Sequence, residues 1–298
     1  MIRNRAKSGR RLVIGIPMLW MGLFFLIPFA VVLKISFSEA IFASPPYTSI
    51  VEYISDESRL SISLNLGNYQ YLWEDELYWR AYVNSLTIAF FSTLMCLLIG
   101  FPVALFIARS SPRWRPLLHL LIIIPFWSSL LIRVYSWMGL LRKDGIINSV
   151  LGYVGLVQDP QSMLQTSFAV YIGMVYTYLP FMILPLYSVL ERQDASLREA
   201  ATDLGSPPLR VFRKVTLPLS VNGIIAGSML VFIPTIGEFV IPSLLGASDN
   251  LMIGRVLWDE FFANRDWPVA SAVAIVLLAV LLIPIMIFQN SQNKSMEG

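Results

Sequence analysis

Glu191–Pro218 reads ERQDASLREAATDLGSPPLRVFRKVTLP, a polar stretch between two long apolar ones. Nine of its residues carry charge: Glu191, Arg192, Asp194, Arg198, Glu199, Asp203, Arg210, Arg213 and Lys214. Asp194 or Ser196 suits a helix N-cap, with Glu199 in the first turns behind it. Leu197, Ala200, Ala201 and Leu204 recur at intervals of three and four and form one apolar face. Gly205 is placed to end that helix in a left-handed conformation, and Pro207 and Pro208 stop its continuation. Leu209–Leu217 reads as a second short helix with Arg210, Arg213 and Lys214 on its polar side. By itself this is a helical hairpin between two spans, either simply solvated or built to dock.

The flanks make the chain a membrane protein. Of 298 residues, 56% are hydrophobic and only 14% charged, with a mean hydropathy of +0.66, too apolar for a soluble domain. Six apolar stretches are expected to cross the bilayer, at 12–34, 81–108, 117–141, 166–190, 219–241 and 269–288. About 20 residues at ~1.5 Å each suffice for a hydrocarbon core of ~30 Å. The fold class is therefore all-α, with six transmembrane helices. The first run is too long for a signal-peptide core, and no cleavable signal is evident.

Lys and Arg set the orientation. Five lie in residues 1–11, three in the loop at 109–116 and five in the 191–218 loop, thirteen in all. The segments 35–80, 142–165 and 242–268 hold two each, six in all. The basic side belongs in the cytoplasm, so the N-terminus, the 191–218 loop and the tail at 289–298 are expected there and the other three loops outside. Segment 35–80 is acidic by seven to two, as suits an outer loop.

Much chemistry is excluded. One histidine (His119) and one cysteine (Cys96) leave no basis for a catalytic triad, a zinc site or a disulfide framework. No G-x-x-x-x-G-K-[ST] sequence occurs, so any ATP hydrolysis, with its ATP and Mg, belongs to a partner. No cofactor of its own, no metal and no nucleic acid is expected. Pro102, Pro125, Pro180, Pro185, Pro234 and Pro284 fall inside spans and mark kinks or gaps, ordinary shaping for membrane helices. Gly223 and Gly227 form a small-xxx-small face suited to close helix packing.

Two ionisable residues lie inside apolar spans, Arg133 in the third and Glu238 in the fifth. Charges there are costly and are functional candidates by default. Arg133 lies roughly 24 Å and Glu238 roughly 28 Å along helices entering from the cytoplasm, so they could share a level near the outer side. Either they are structural, with Arg133 snorkelling or pairing with Glu238, or Glu238 faces a water-filled path and meets a cation. Pro234 and Gly237 would loosen the helix just before it. Trp127, Tyr135 and Trp137, then Tyr171, Tyr176 and Tyr178, crowd the same zone. They fit either an interfacial belt or a surface over which an amine slides by cation–π attraction.

Glu199-Ala200-Ala201, three residues, Gly205, nine residues and Val215-Thr216-Leu217-Pro218 resemble the EAA loop of membrane subunits of bacterial ABC importers, with Val215 where that family usually has Ile. In that family the loop docks on a cytoplasmic ATPase, which the resemblance implies for Glu199, Ala200, Ala201, Gly205, Leu217 and Pro218. PFWSSLLIRVYSWMGLL (Pro125–Leu141), VYTYLPFMILPLY (Val175–Tyr187), VFIPTIGEFVIPSLLG (Val231–Gly246) and IGRVLWDEFFANRDWPVASA (Ile253–Ala272) look like the polyamine branch of these permeases.

The resemblance covers nearly the whole chain. It implies a type I ABC importer permease fold in the inner membrane and no catalytic site. It also implies a second permease, two copies of an ATPase, and a periplasmic polyamine-binding protein delivering putrescine or spermidine. The expected substrate pathway is Glu238, Trp127, Tyr135, Tyr176 and Arg133. Trp258, Asp259, Glu260 and Asp266, in an outer loop, are the expected docking surface for the binding protein, or else a solvated amphipathic segment. The alternatives are an ABC permease for another small solute, or an ion-coupled secondary transporter. The latter calls for inverted repeats and paired mid-membrane acids, and the chain has one deep carboxylate and no such repeat.

Overall fold

The computed structural model describes residues 13–49, 51–54, 59–62, 64–155, 161–247 and 250–297. The basic stretch at 1–11 lies outside them. Helix α1 runs Val13–Ile35 with a π-turn at Gly22–Leu26. A two-stranded antiparallel hairpin follows, β1 (Val51–Ile54) and β2 (Arg59–Ile62), with Val51 opposite Ile62. It adds a small β element that the polar composition of 35–80 did not signal. Helix α2 (Gly67–Glu74) leads into α3 (Glu76–Arg109). The expected boundary at 81 moves toward the N-terminus because the Asp75 carboxylate accepts from the Leu77 N–H at 2.9 Å and sets the helix start there.

The expected third span is two helices, α4 (Arg115–Trp127) and α5 (Leu130–Leu141), with the chain bent by 90° at the break. Pro125 lies in a closing 3-10 turn, and Ser128 is extended at ψ 151. Helix α6 (Ile146–Tyr153) occupies part of the next loop. Helix α7 (Ser167–Glu191) is continuous through Pro180 and Pro185, capped by the Thr166 hydroxyl accepting from the Ala169 N–H at 3.2 Å. Helix α8 (Ala195–Asp203) and helix α9 (Pro208–Leu219) form the polar hairpin. The expected fifth span is α10 (Val221–Ile236), bent 65° from α9, and then α11 (Val240–Leu245) after a break. Helix α12 (Ile253–Trp258) continues as a π-turn through Asp259–Ala263, and α13 runs Trp267–Glu297. Among the described residues, four helices are long and apolar enough to span alone, and up to six spans result if each bent pair is one.

The chain divides into two compact units. The first is Met1–Tyr78 with Leu257–Ala279. In it the Asn68 amide donates to the Ser36 and Ser38 carbonyls at 2.9 and 2.8 Å, fixing α2 to the end of α1. The second is Trp79–Val256 with Val280–Gly298. Its core is built around α7, whose buried Met174, Met182 and Leu186 meet Cys96 and Ala104 of α3, Val134 of α5, Val231 of α10 and Ile241 of α11. Lipid tails are as apolar as Leu, so close fit rather than water exclusion holds such helices together. Helix α10 packs most extensively of all on α7. A Cβ at Gly227 would sit 2.8 Å from Met182 Sδ, and one at Gly223 would sit 3.2 Å from the Pro185 carbonyl oxygen. The small-xxx-small face is therefore used within the chain.

Candidate functional site

The break between α10 and α11 places Glu238. Helix α10 ends at Ile236 with Gly237 as its C-cap, and α11 restarts at Val240. Glu238 Oε1 accepts the Val240 N–H at 3.0 Å, so the carboxylate caps the new helix. Its other oxygen, Oε2, accepts a hydrogen bond from the Tyr178 hydroxyl of α7. The break is also gripped from α12, where a Cβ at Gly254 would collide with the Gly237 carbonyl oxygen.

Tyr178 continues into a run of rings. Its ring centroid lies 6.2 Å from that of Phe181, and Phe181 meets Phe126 edge-on at 5.2 Å. The Arg133 guanidinium stands 5.4 Å over the Phe126 ring. Arg133 is 9% exposed, and its Nε is buried with no acceptor. No ion pair joins it to Glu238 among the described residues, so the pairing considered above is absent.

Of the expected pathway residues, the structure links Glu238 and Arg133 through this aromatic run. Tyr135 is two residues from Arg133, and Tyr176 two from Tyr178, which puts each on a different helix face from its neighbour. Tyr176 packs edge-on against Trp137 at 5.5 Å, while Tyr135 and Trp127 are 57% and 86% exposed. The residues that sequence reading left out of the site are Tyr178, Phe181 and Phe126. The Tyr178–Glu238 contact spans sixty positions and has no local signature.

In the polar hairpin, the Asp194 carboxylate accepts the Ser196 N–H at 2.9 Å, and that bond holds its carboxyl below the ordinary carboxylate range. Gly205 stands at φ +78. Its N–H donates to the Thr202 carbonyl at 2.8 Å and the Ser206 N–H to the Ala201 carbonyl at 3.1 Å, the paired bonds of a Schellman cap. Leu197 and Leu204 are 49% and 86% exposed, so these two positions of the apolar face of α8 lie open among the described residues. Glu199 and Ala200 are exposed, and Ala201 is half-buried. The base of the hairpin is fixed: the Gln193 amide donates to the Thr216 carbonyl at 3.3 Å and to Ser220 Oγ at 3.0 Å. Phe212 meets Phe101 of α3 edge-on at 5.5 Å. Leu217 is half-buried beside it, and Pro218 is exposed.

The residues expected to dock the binding protein have internal tasks. Glu260 accepts from the Tyr78 hydroxyl at 2.8 Å and from the Asn264 amide at 2.9 Å. Asp266 caps α13 by accepting the Val269 N–H at 3.0 Å. Trp258, 43% exposed, lies against Phe262 at 4.1 Å, and Asp259 opens the π-turn.

Residues 97–298 match a family model described as binding-protein-dependent transport system inner membrane component. The chain is 38% identical, over 95% of its length and 94% of the relative's, to the spermidine/putrescine transport system permease protein PotB of Haemophilus influenzae. It is 40% identical to the Escherichia coli protein of the same name, over 81% of this chain and 89% of that one. Among solved structures, a bacterial alginate ABC transporter in complex with an alginate pentasaccharide-bound periplasmic protein superposes with a TM-score of 0.74 at 16% identity, covering 99% and 97% of the two chains. The MetNI methionine ABC transporter in inward-facing conformation gives 0.55 at 18% identity, over 74% of this chain and 95% of that chain. The broken spans, the capped polar hairpin and these likenesses agree: the chain belongs to the binding-protein-dependent transport system inner membrane components, the permease subunits of ABC importers.

Proposed function

We propose that the chain is one permease of an ATP-driven polyamine importer in the bacterial inner membrane, its N- and C-termini cytoplasmic. The observation that carries the reading is Glu238, a carboxylate in a helical break that pairs with no cation among the described residues and is backed by aromatic rings. An ammonium group leaving a binding protein loses carboxylate and aromatic partners, and this site replaces part of them. At an effective dielectric of about 20, a charge pair at ~4 Å is worth on the order of 4 kcal/mol before desolvation is subtracted. The net must stay small enough for release. The names of the relatives at 38% and 40% identity support putrescine and spermidine as cargo.

The exposed apolar face of α8 supports docking on one of two ATPase copies, which bind the ATP and Mg. A second permease completes the pathway, and a periplasmic polyamine-binding protein delivers the cargo. Closure of the ATPases pushes the hairpin, and the spans alternate between outward and inward access as rigid bodies.

The test is uptake of putrescine and spermidine into vesicles holding all subunits. Glu238→Gln keeps the side chain's shape and removes its charge, so the complex assembles, the binding protein still stimulates ATP hydrolysis, and uptake falls at least tenfold. Adding Arg133→Met restores nothing, because no ion pair is there to rebalance. Undiminished uptake by Glu238→Gln, or recovery of uptake in the double variant, removes Glu238 from the path.

A further inference from the structure

We propose that Tyr178 is a positioning residue for transport: its hydroxyl, together with the Val240 N–H, presents the Glu238 carboxylate as a fixed site for one N–H-bearing ammonium group. The inference rests on the reading of Glu238 given above and adds how that carboxylate is held and what it accepts.

Glu238 sits at a gap between two helices, where the backbone supplies no regular frame for its side chain. The carboxylate is fixed at two points instead. Each oxygen receives one donor, Oε1 the Val240 N–H and Oε2 the Tyr178 hydroxyl. An ionised carboxylate has about four acceptor positions, so each oxygen keeps one. Those remaining positions accept N–H donors, which suits the primary and secondary ammonium groups of an aliphatic polyamine.

The two donors are unequal. The Val240 bond is local and belongs to the capping of α11. The Tyr178 bond comes from another helix, and α7 is where the core of this unit is centred. Tyr178 is 7% exposed and its ring is held against Phe181, which leaves the hydroxyl little freedom to turn away. The rigid helix thus fixes the orientation of a side chain on the broken one. Arg133, the other charge in these spans, stands over Phe126 at the far end of the ring run and makes no ion pair with Glu238. The carboxylate therefore remains available to cargo.

Tyr178→Phe removes the hydroxyl and keeps the ring, and it is compared with Glu238→Gln and with the double variant. The complete importer, with both permeases, ATPases and binding protein, is reconstituted in vesicles. Spermidine taken up per ATP hydrolysed is measured beside complex yield and binding-protein-stimulated ATPase. The expected result for Tyr178→Phe is a three- to tenfold fall in spermidine per ATP, with yield and stimulated ATPase unchanged. Because Tyr178 acts through Glu238, the double variant transports as poorly as Glu238→Gln and no worse. A merely structural role would lower yield and would multiply the two defects, and that result overturns the proposal. Normal uptake by Tyr178→Phe beside a failing Glu238→Gln also overturns it and leaves the pathway reading standing. Normal uptake by Glu238→Gln overturns both.

Discussion

At Gly254 a methyl group has no room. A Cβ there would run into the Gly237 carbonyl oxygen and come within 2.9 Å of the Glu238 carbonyl oxygen, both of them backbone atoms that cannot swing aside. The Ile253 N–H is already committed to Ser85 Oγ at 2.8 Å, so α12 cannot slide away freely. Gly254→Ala is expected to cost about 1–3 kcal/mol as overpacking and to displace the break that carries Glu238. Thermal unfolding of the purified complex and uptake should both fall. Gly139→Ala, where nothing lies within 4 Å of the added carbon, should change neither. A Gly254→Ala complex as stable and active as the parent would show that the break has slack. None of this was readable beforehand, since Gly254 is one of 17 glycines and its partner is seventeen positions away. Glu238 and Arg133 were legible because a charge within an apolar run stands out in one dimension. Tyr178 was visible only as one more aromatic residue, because its meaning lies in a contact.

Among elements, the polar hairpin is where sequence and structure agree most closely. Its signals are local: the Asp194 cap, the 3.6-residue apolar period, Gly205 and the proline pair each act within a few residues. The breaks in the third and fifth expected spans were half-legible. Pro125 and Gly237 mark them, yet Pro180 and Pro185 sit in an unbroken α7, so proline alone does not decide. The hairpin β1–β2 was missed although Leu60, Ile62, Leu64 and Leu66 alternate with Ser61, Ser63 and Asn65, a period-2 signal that starts in β2 and that the acidic, polar composition of the segment overshadowed. At Gly205 the turn demands φ +78, which costs a β-branched residue roughly 1–2 kcal/mol or more. Space is not the obstacle, as nothing lies within 4 Å. Gly205→Val should therefore unwind the Schellman cap without disturbing the spans. The permease should insert normally while ATP hydrolysis becomes uncoupled from uptake, and Gly205→Asn, which tolerates left-handed φ, should retain most coupling. Equal transport by the Val and Asn variants would separate this turn from coupling.

For the molecule as a whole, the balance of Lys and Arg was the only guide to orientation, thirteen on one set of segments against six on the other. That balance makes sidedness a matter for chemical labelling. Helix α1 makes the dependence on surroundings plain: nothing in its most apolar stretch is buried within the chain, and Val13, Leu19 and Trp20 are 72%, 70% and 63% exposed. In water such a surface would drive association, whereas lipid or a second permease covers it at no cost. Single cysteines report which side each loop faces, and the native Cys96 gives no background because it is fully buried. Leu64→Cys and Tyr153→Cys, at positions 63% and 95% exposed, should react with a membrane-impermeant maleimide in intact spheroplasts. Ser196→Cys, at an exposed position at the start of α8, should react only after permeabilisation. The opposite pattern would put α8 outside, away from any ATPase, and the coupling role of the hairpin would fall with the orientation. Protection of Ser196→Cys by ATPase subunits in permeabilised membranes, with Tyr153→Cys unaffected, would place the ATPase on the apolar surface that Leu197 and Leu204 leave open.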